Sequence, residues 1–229
     1  MLAAGVAFGA NSMSYKITGG AYERVGCSPP CLCAVWELLG FEGSFDLDFV
    51  EMDGDFAVFD MNNVVLLVEA WTPGEVIEIT GSGTYRIGGD DRLMQEMTLT
   101  LDADGFIQTF ETGLVPAESA FPTFDVAAVV EGVCQDTVLD IVAEPLGDAD
   151  RDFDVDLVDF NAFQLCFGEA PADGADISEE CVFADFDNDQ DVDLTDFADF
   201  QLNYTGTISL VVPPELWDIP ICPEGMLCL

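Results

Sequence analysis

Residues Asp148 to Phe160, "DADRDFDVDLVDF", set a carboxylate at almost every second position, and "DFDNDQDVDLTDF", Asp185 to Phe197, does so again 37 residues later. Aligning 147–167 with 184–204 leaves twelve identities in twenty-one positions, and both copies read D-x-D-x-D-x-D-V-D-L-x-D-F-x-x-F-Q-L. Two carboxylates about 5 Å apart repel by roughly 3 kcal/mol at an effective dielectric near 20. A folded loop of six therefore needs a cation. The chain itself supplies little: Lys16 is its single lysine, and Arg151 is the one basic residue among eighteen acidic ones between Gly147 and Phe200.

The spacing is that of a calcium loop of EF-hand type, with oxygen ligands at positions 1, 3, 5, 7, 9 and 12. Asp148, Asp150, Asp152, Asp154, Asp156 and Asp159 fill these positions in the first copy, and Asp185, Asp187, Asp189, Asp191, Asp193 and Asp196 in the second. Position 7, Asp154 and Asp191, is expected to ligate through its main-chain carbonyl rather than its carboxylate. Val155 and Val192 at position 8 should face inward and pair the two loops across a short β-bridge. Position 12 is Asp where Glu is usual, which shortens the reach by one methylene. Position 6 favours glycine because the turn needs a left-handed backbone, yet Phe153 and Gln190 stand there, at a cost of about 1–2 kcal/mol each. Two bound Ca2+ ions, one per loop, are the expectation, as part of the fold rather than an addition to it.

Each loop runs into an amphipathic helix, with Leu157, Phe160, Phe163 and Phe167 on one apolar face and Leu194, Phe197, Phe200 and Tyr204 on the other. No helix precedes the first loop, since "EPLG" cannot start one. A calcium loop followed by a helix, twice, over about Gly147 to Tyr204, resembles the type I dockerin module. The "DVDLxDFxxFQ" wording is similar to the dockerin-like repeats that end secreted planctomycete-type proteins. The resemblance implies two calcium sites and, for the family, docking on a cohesin-type partner. Family members commonly read cohesin through a Ser/Thr pair at loop positions 10 and 11. Here Leu157–Val158 and Leu194–Thr195 occupy them, a departure that keeps the calcium and weakens the cohesin reading.

Before the repeat the pattern changes. "FDLDFVEMD", "EVIEIT", "LMQEMTLTLD" and "DTVLDIVAE" alternate apolar with polar residues, the period-2 signature of half-buried strands. "NVVLLVEAW" is a continuous apolar run, which suits a strand buried on both faces. "TPGE", "TGSGT", "RIGGDD" and "DADGF" read as turns. Roughly ten strands without an intervening helix give a mainly β chain: an antiparallel β-sandwich or jelly-roll-like domain followed by the small α module. The expected divisions are 1–14, a signal remnant or N-terminal strand; 15–146, the β-domain; 147–205, the calcium module; and 206–229, a strand, "TISLVVPP", with a disulfide-tied tail.

Composition narrows the function. A net charge of −40 repels phosphates and anionic lipid, so neither nucleic acid nor membrane insertion is expected. Histidine is absent, which removes Ser-His-Asp and Cys-His catalysis. Eight cysteines suit an oxidising compartment and a secreted, extracellular or cell-surface protein. Cys166 and Cys181 bracket the linker between the loops and are expected to bridge it. The other six allow fifteen pairings, and "CSPPCLC" (27–33) reads either as disulfide chemistry or as a metal knuckle. Trp36, Trp71, Tyr85 and Trp217 read as core aromatics or as a sugar-stacking platform.

Three functions follow as expectations. The first is a non-catalytic secreted calcium-binding structural protein, assembling with copies of itself or another extracellular protein into a surface layer, matrix or filament. The second is a polysaccharide-binding β-module tethered by a dockerin-like unit to a cohesin-type partner. The third is a carboxylate-only glycosidase, for which a domain of this size leaves little room for a cleft with two acids about 5–9 Å apart.

Overall fold

The computed structural model describes residues 12–25, 31, 38–69, 76–89, 92–170, 177–187 and 189–206. Among the described residues, nine strands make one antiparallel sheet. They are β1 (Ser12–Val25), β2 (Leu38–Asp53), β3 (Phe56–Glu69), β4 (Val76–Gly88), β5 (Met94–Ala103), β6 (Phe106–Glu111), β7 (Val115–Pro116), β8 (Phe124–Val130) and β9 (Asp136–Pro145). Two helices follow, α1 (Leu157–Cys166) and α2 (Leu194–Asn203), with a 3-10 turn over Glu179–Ala184 between them.

The strand order is β6-β5-β4-β3-β2-β1-β9-β8, with β7 pairing the free end of β5 beside β6. Neighbours in sequence are neighbours in space up to β6, and the pairing of β1 with β9 brings the chain back. The sheet thereby curls until it is nearly closed into a barrel. Gln95 of β5 donates to the Asp125 carbonyl of β8 at 2.8 Å across the remaining seam.

The mainly β reading stands, while the architecture is one curled sheet rather than two facing ones. The physical reason lies in the long strands and their irregularities. Register shifts at Ile17/Ala21, Ser44/Asp46, Phe49/Glu51 and Met61/Val64 bend the long strands β1 to β4, and such bulges increase twist and let a sheet close on itself. "TGSGT" is not a turn but lies within β4. A Cβ built on Gly83 would lie 2.1 Å from the Thr98 carbonyl oxygen, so glycine permits β4 to pass close to β5. "DADGF" is the β5–β6 hairpin, where Asp104 and Gly105 take φ of 52° and 89° and Asp102 accepts from the Gly105 N–H at 2.7 Å.

Burial follows the period of two. Along β5, Gln95, Met97, Leu99 and Leu101 point inward, and along β9 Leu139, Ile141 and Ala143 do the same. "NVVLLVEAW" behaves likewise rather than being buried on both faces: Val64, Leu66 and Val68 are core residues, while Leu67 is 40 % exposed. A curled sheet has one dry face and one wet face, so an apolar run inside it still alternates.

The interior is packed unevenly. Near the N-terminal end of β1, Tyr15 stacks on Phe45 at 5.1 Å, Phe124 meets Phe45 at 5.0 Å and Tyr85 at 4.8 Å, and Phe59 meets Phe121 at 5.7 Å. That end of the barrel faces the acidic repeat. Phe153 reaches into it, 5.8 Å from Phe59 and 5.2 Å from Phe121, so one continuous core runs through both parts of the chain.

Candidate metal centre

Each acidic loop ends as the first turn of its helix, and the local rules explain why. Asp156 is the N-cap of α1, accepting from the Val158 N–H at 2.6 Å, while the Asp159 carboxylate at N3 accepts from the Asp156 N–H at 2.7 Å. Asp193 and Asp196 repeat this capping box at α2, with the same 2.6 and 2.7 Å. The arrangement satisfies orphan backbone donors and places carboxylates at the positive end of the helix dipole. Asp159 and Asp196 also accept from the loop starts, Ala149 N–H and Phe186 N–H respectively, both at 2.7 Å. Both side chains are fully buried.

These bonds fold the acidic runs into concave clusters. In the first loop, carboxylate oxygens of Asp148, Asp150 and Asp159 lie within 4.8 Å of one another, as do those of Asp154, Asp156 and Asp159. In the second loop, Asp185, Asp187 and Asp196 form one such group and Asp191, Asp193 and Asp196 another. Position 12 is thus common to both groups of each loop. Asp152 and Asp189 belong to none of these groups. Their carboxylates accept instead from the Asp154 and Asp191 N–H, at 3.2 and 3.1 Å. Asp154 at position 7 is buried, with a carboxylate oxygen in the group it shares with Asp156 and Asp159.

Position 6 has the backbone that the spacing implied: Phe153 at φ 66° and Gln190 at φ 70°. The two side chains then diverge. Gln190 is exposed, whereas Phe153 is 2 % exposed and sits in the barrel end. Val155 and Val192 face inward, but they do not bridge to each other. Val192 exchanges backbone bonds with Gly168 and Glu169 just past α1, and the Val155 carbonyl accepts from Thr205 and Gly206 just past α2. Each loop is therefore clasped by the segment that follows the other loop's helix.

The first ligand position differs most between the loops. Asp148 accepts from the Asp152 and Phe153 N–H at 3.0 and 2.9 Å. Asp185 is held by Lys16 from β1, whose Nζ lies 2.8 Å from Oδ2 and 3.0 Å from the backbone carbonyl. The other oxygen, Asp185 Oδ1, is buried and has no hydrogen-bond partner. A buried anionic oxygen without a donor is costly, and a hard cation is one of the few ways to satisfy it. Lys16 has no place in the ligand pattern; being the only lysine was its sole signal.

No family model matches this sequence, and no similar curated protein or solved structure was found. The site has to be read from its own chemistry. Burial, Asp159 and Asp152 push the Asp148 carboxyl up to about 7, against the pull of its two backbone bonds. Asp150 rises to about 6 for want of solvation and because Asp152 and Asp159 lie beside it. Burial raises Asp159 too. Buried carboxylates crowded together resist ionising together.

Cys166 and Cys181 are joined, so Cys166, Glu169 and Cys181 offer no thiolate despite their proximity. Cys31 is joined to Cys134, leaving no free thiol among the described residues. Tyr85 is a core residue bonded to Gln95, not part of a surface platform. Trp36, Trp71, Trp217, Cys27, Cys33, Cys222, Cys228 and the expected strand "TISLVVPP" lie outside the described residues.

Proposed function

We propose that this chain is a non-catalytic, secreted calcium-binding structural protein, in which a dockerin-like pair of loops binds two Ca2+ ions and stiffens one end of a β-barrel for extracellular assembly. The observation that carries the calcium reading is Asp185 Oδ1, buried without a partner inside a group of carboxylates. Asp148, Asp150, Asp154, Asp156 and Asp159 would hold one ion, and Asp185, Asp187, Asp191, Asp193 and Asp196 the other, with Asp152 and Asp189 completing the sets that the spacing gives. The ion supplies charge neutralisation, and the chain's own residues do the rest: capping, clasping and the Phe153 insertion fix the donors in place.

Assembly is supported by the outer surface of the helices. Leu157, Val158, Leu165, Leu194 and Leu202 are between 53 and 89 % exposed. Leu157 also lines a groove of about 280 Å3 together with Phe160, Phe197 and Tyr204. Clustered apolar exposure of this kind marks protein contacts, and the partner is a second copy or another extracellular protein. Two disulfides among the described residues suit an oxidising compartment, and no described helix is long and apolar enough to cross a membrane.

Light scattering behind a size-exclusion column, in millimolar calcium and then in excess chelator, tests both halves. A large species that dissociates on chelation is expected, along with a higher melting temperature in calcium. A monomer in both conditions removes the assembly role, and a melting temperature indifferent to calcium removes the metal.

A further inference from the structure

The barrel end away from the acidic loops is built differently from the end that Phe153 closes. Inside it lies a cavity of about 180 Å3, walled by Leu66 and Val68 of β3, Ile79 of β4, Leu101 and Ala103 of β5 and Phe110 of β6. Its surface is almost wholly apolar. Two polar side chains, Tyr22 and Gln108, stand on its wall, and Tyr22, Phe106 and Gln108 are shared with a second, more open hollow of about 330 Å3. That hollow is also lined by Cys134, which a disulfide ties to Cys31. Phe106 and Ile77 on the cavity wall are 67 and 45 % exposed.

We propose that this end of the barrel binds a small, neutral, apolar molecule, seated against β3 to β6 with any polar group directed to Tyr22 and Gln108. The lining atoms of an apolar hollow of this size forgo dispersion contacts that an apolar ligand restores. An engineered cavity of about 150 Å3 with comparable walls takes up benzene, which sets the ligand near a substituted benzene or a short branched alkyl chain. The same barrel fills its other end with Tyr15, Phe45, Phe59, Tyr85 and Phe124, so the space is not a general failure to pack. Mouths of barrels are common ligand sites for this reason. A net charge of −40 selects against carboxylate ligands, fatty acids included. The proposal is independent of the metal reading.

The test is saturation-transfer NMR and thermal melting of the full chain in calcium, with toluene as the neutral probe and benzoate as its anionic counterpart. Toluene should bind and raise the melting temperature, and benzoate should bind about tenfold or more weakly. Ala103→Phe, which fills the cavity from β5, should weaken toluene by about tenfold or more while preserving the circular dichroism spectrum. If that variant does not fold, Leu39→Phe makes the same test from β2. Absence of toluene binding to the folded wild-type protein would mean that the chain occupies the cavity itself, and the proposal falls. Binding that survives both filling variants places toluene elsewhere, such as the groove beside Tyr204, and also overturns it.

Discussion

Lys16 Nζ donates to both the carboxylate and the backbone carbonyl of Asp185, at 2.8 and 3.0 Å, so the one lysine of the chain ties the first barrel strand to the first position of the second acidic loop. The two residues are 169 apart in sequence. The Lys16 and Asp185 side chains are only 12 and 2 % exposed, which makes this a largely desolvated pair. Removing one partner of such a pair costs about 3 kcal/mol. Lys16→Met should therefore lower chemical-denaturation stability by about that amount in chelator. It should lower it less in calcium, because a positive charge at the edge of the metal site is gone. An equal loss in calcium and in chelator would place Lys16 outside the metal's influence.

Phe153 and Gln190 share a backbone conformation and differ in what their side chains do, so glycine should separate the two effects. Gln190→Gly relieves left-handed strain at an exposed position and should stabilise the protein by about 0.5–1 kcal/mol. Phe153→Gly relieves the same strain but empties the barrel end, and should destabilise by about 2–4 kcal/mol. Urea unfolding of both variants decides the matter. Equal effects of one sign would mean that Phe153 is not a packing residue.

Without metal, the raised Asp148 carboxyl makes the fold more stable in acid. Its value is about 7 in the fold against an ordinary 3.8, so its protonated form is favoured by folding. The stabilisation is complete below the ordinary value and is lost as pH rises through about 7. Melting of the chelated protein should fall between about pH 4 and 7, with Asp150, raised to about 6, acting in the same direction. Asp148→Asn should flatten that slope. In calcium the dependence reverses, because the ion binds the ionised form and displaces the proton. Calorimetry at pH 6 in buffers of different ionisation enthalpy should register that proton release.

The two disulfides among the described residues close loops of unequal size. Cys31 and Cys134 are 103 residues apart, Cys166 and Cys181 only 15. The chain-entropy model assigns about 4.7 kcal/mol to a loop near one hundred residues and about 3 kcal/mol to one of fifteen. Paired Cys→Ser variants should follow that order in thermal stability. The reverse order would show that the short bridge between α1 and the 3-10 turn matters through native packing rather than through the unfolded chain.

The acidic loops were legible because their information is local. Aspartates at alternate positions and an apolar stripe after them act within one loop or one helical turn. That sequence logic located the clusters, the left-handed sixth position and the starts of α1 and α2. Strand positions in β5 and β9 were legible for the same reason, since period-2 burial depends on neighbours two residues away.

Contacts between residues far apart in sequence were decided by the tertiary structure. The pairing of β1 with β9 turns a meander into a nearly closed barrel, and alternation along single strands does not encode which edge meets which. The inward or outward fate of position 6 depends on whether a barrel end stands opposite it: Phe153 meets one and Gln190 does not. The clasping of Val155 and Val192 by residues beyond the opposite helices, the tie from Lys16 and the apolar cavity at the far end belong to the same class. The sequence by itself determined where the acidic charge gathers. Only the closed sheet decided that one of those loops also plugs a barrel, because side chains from distant strands must first enclose an interior for Phe153 to enter.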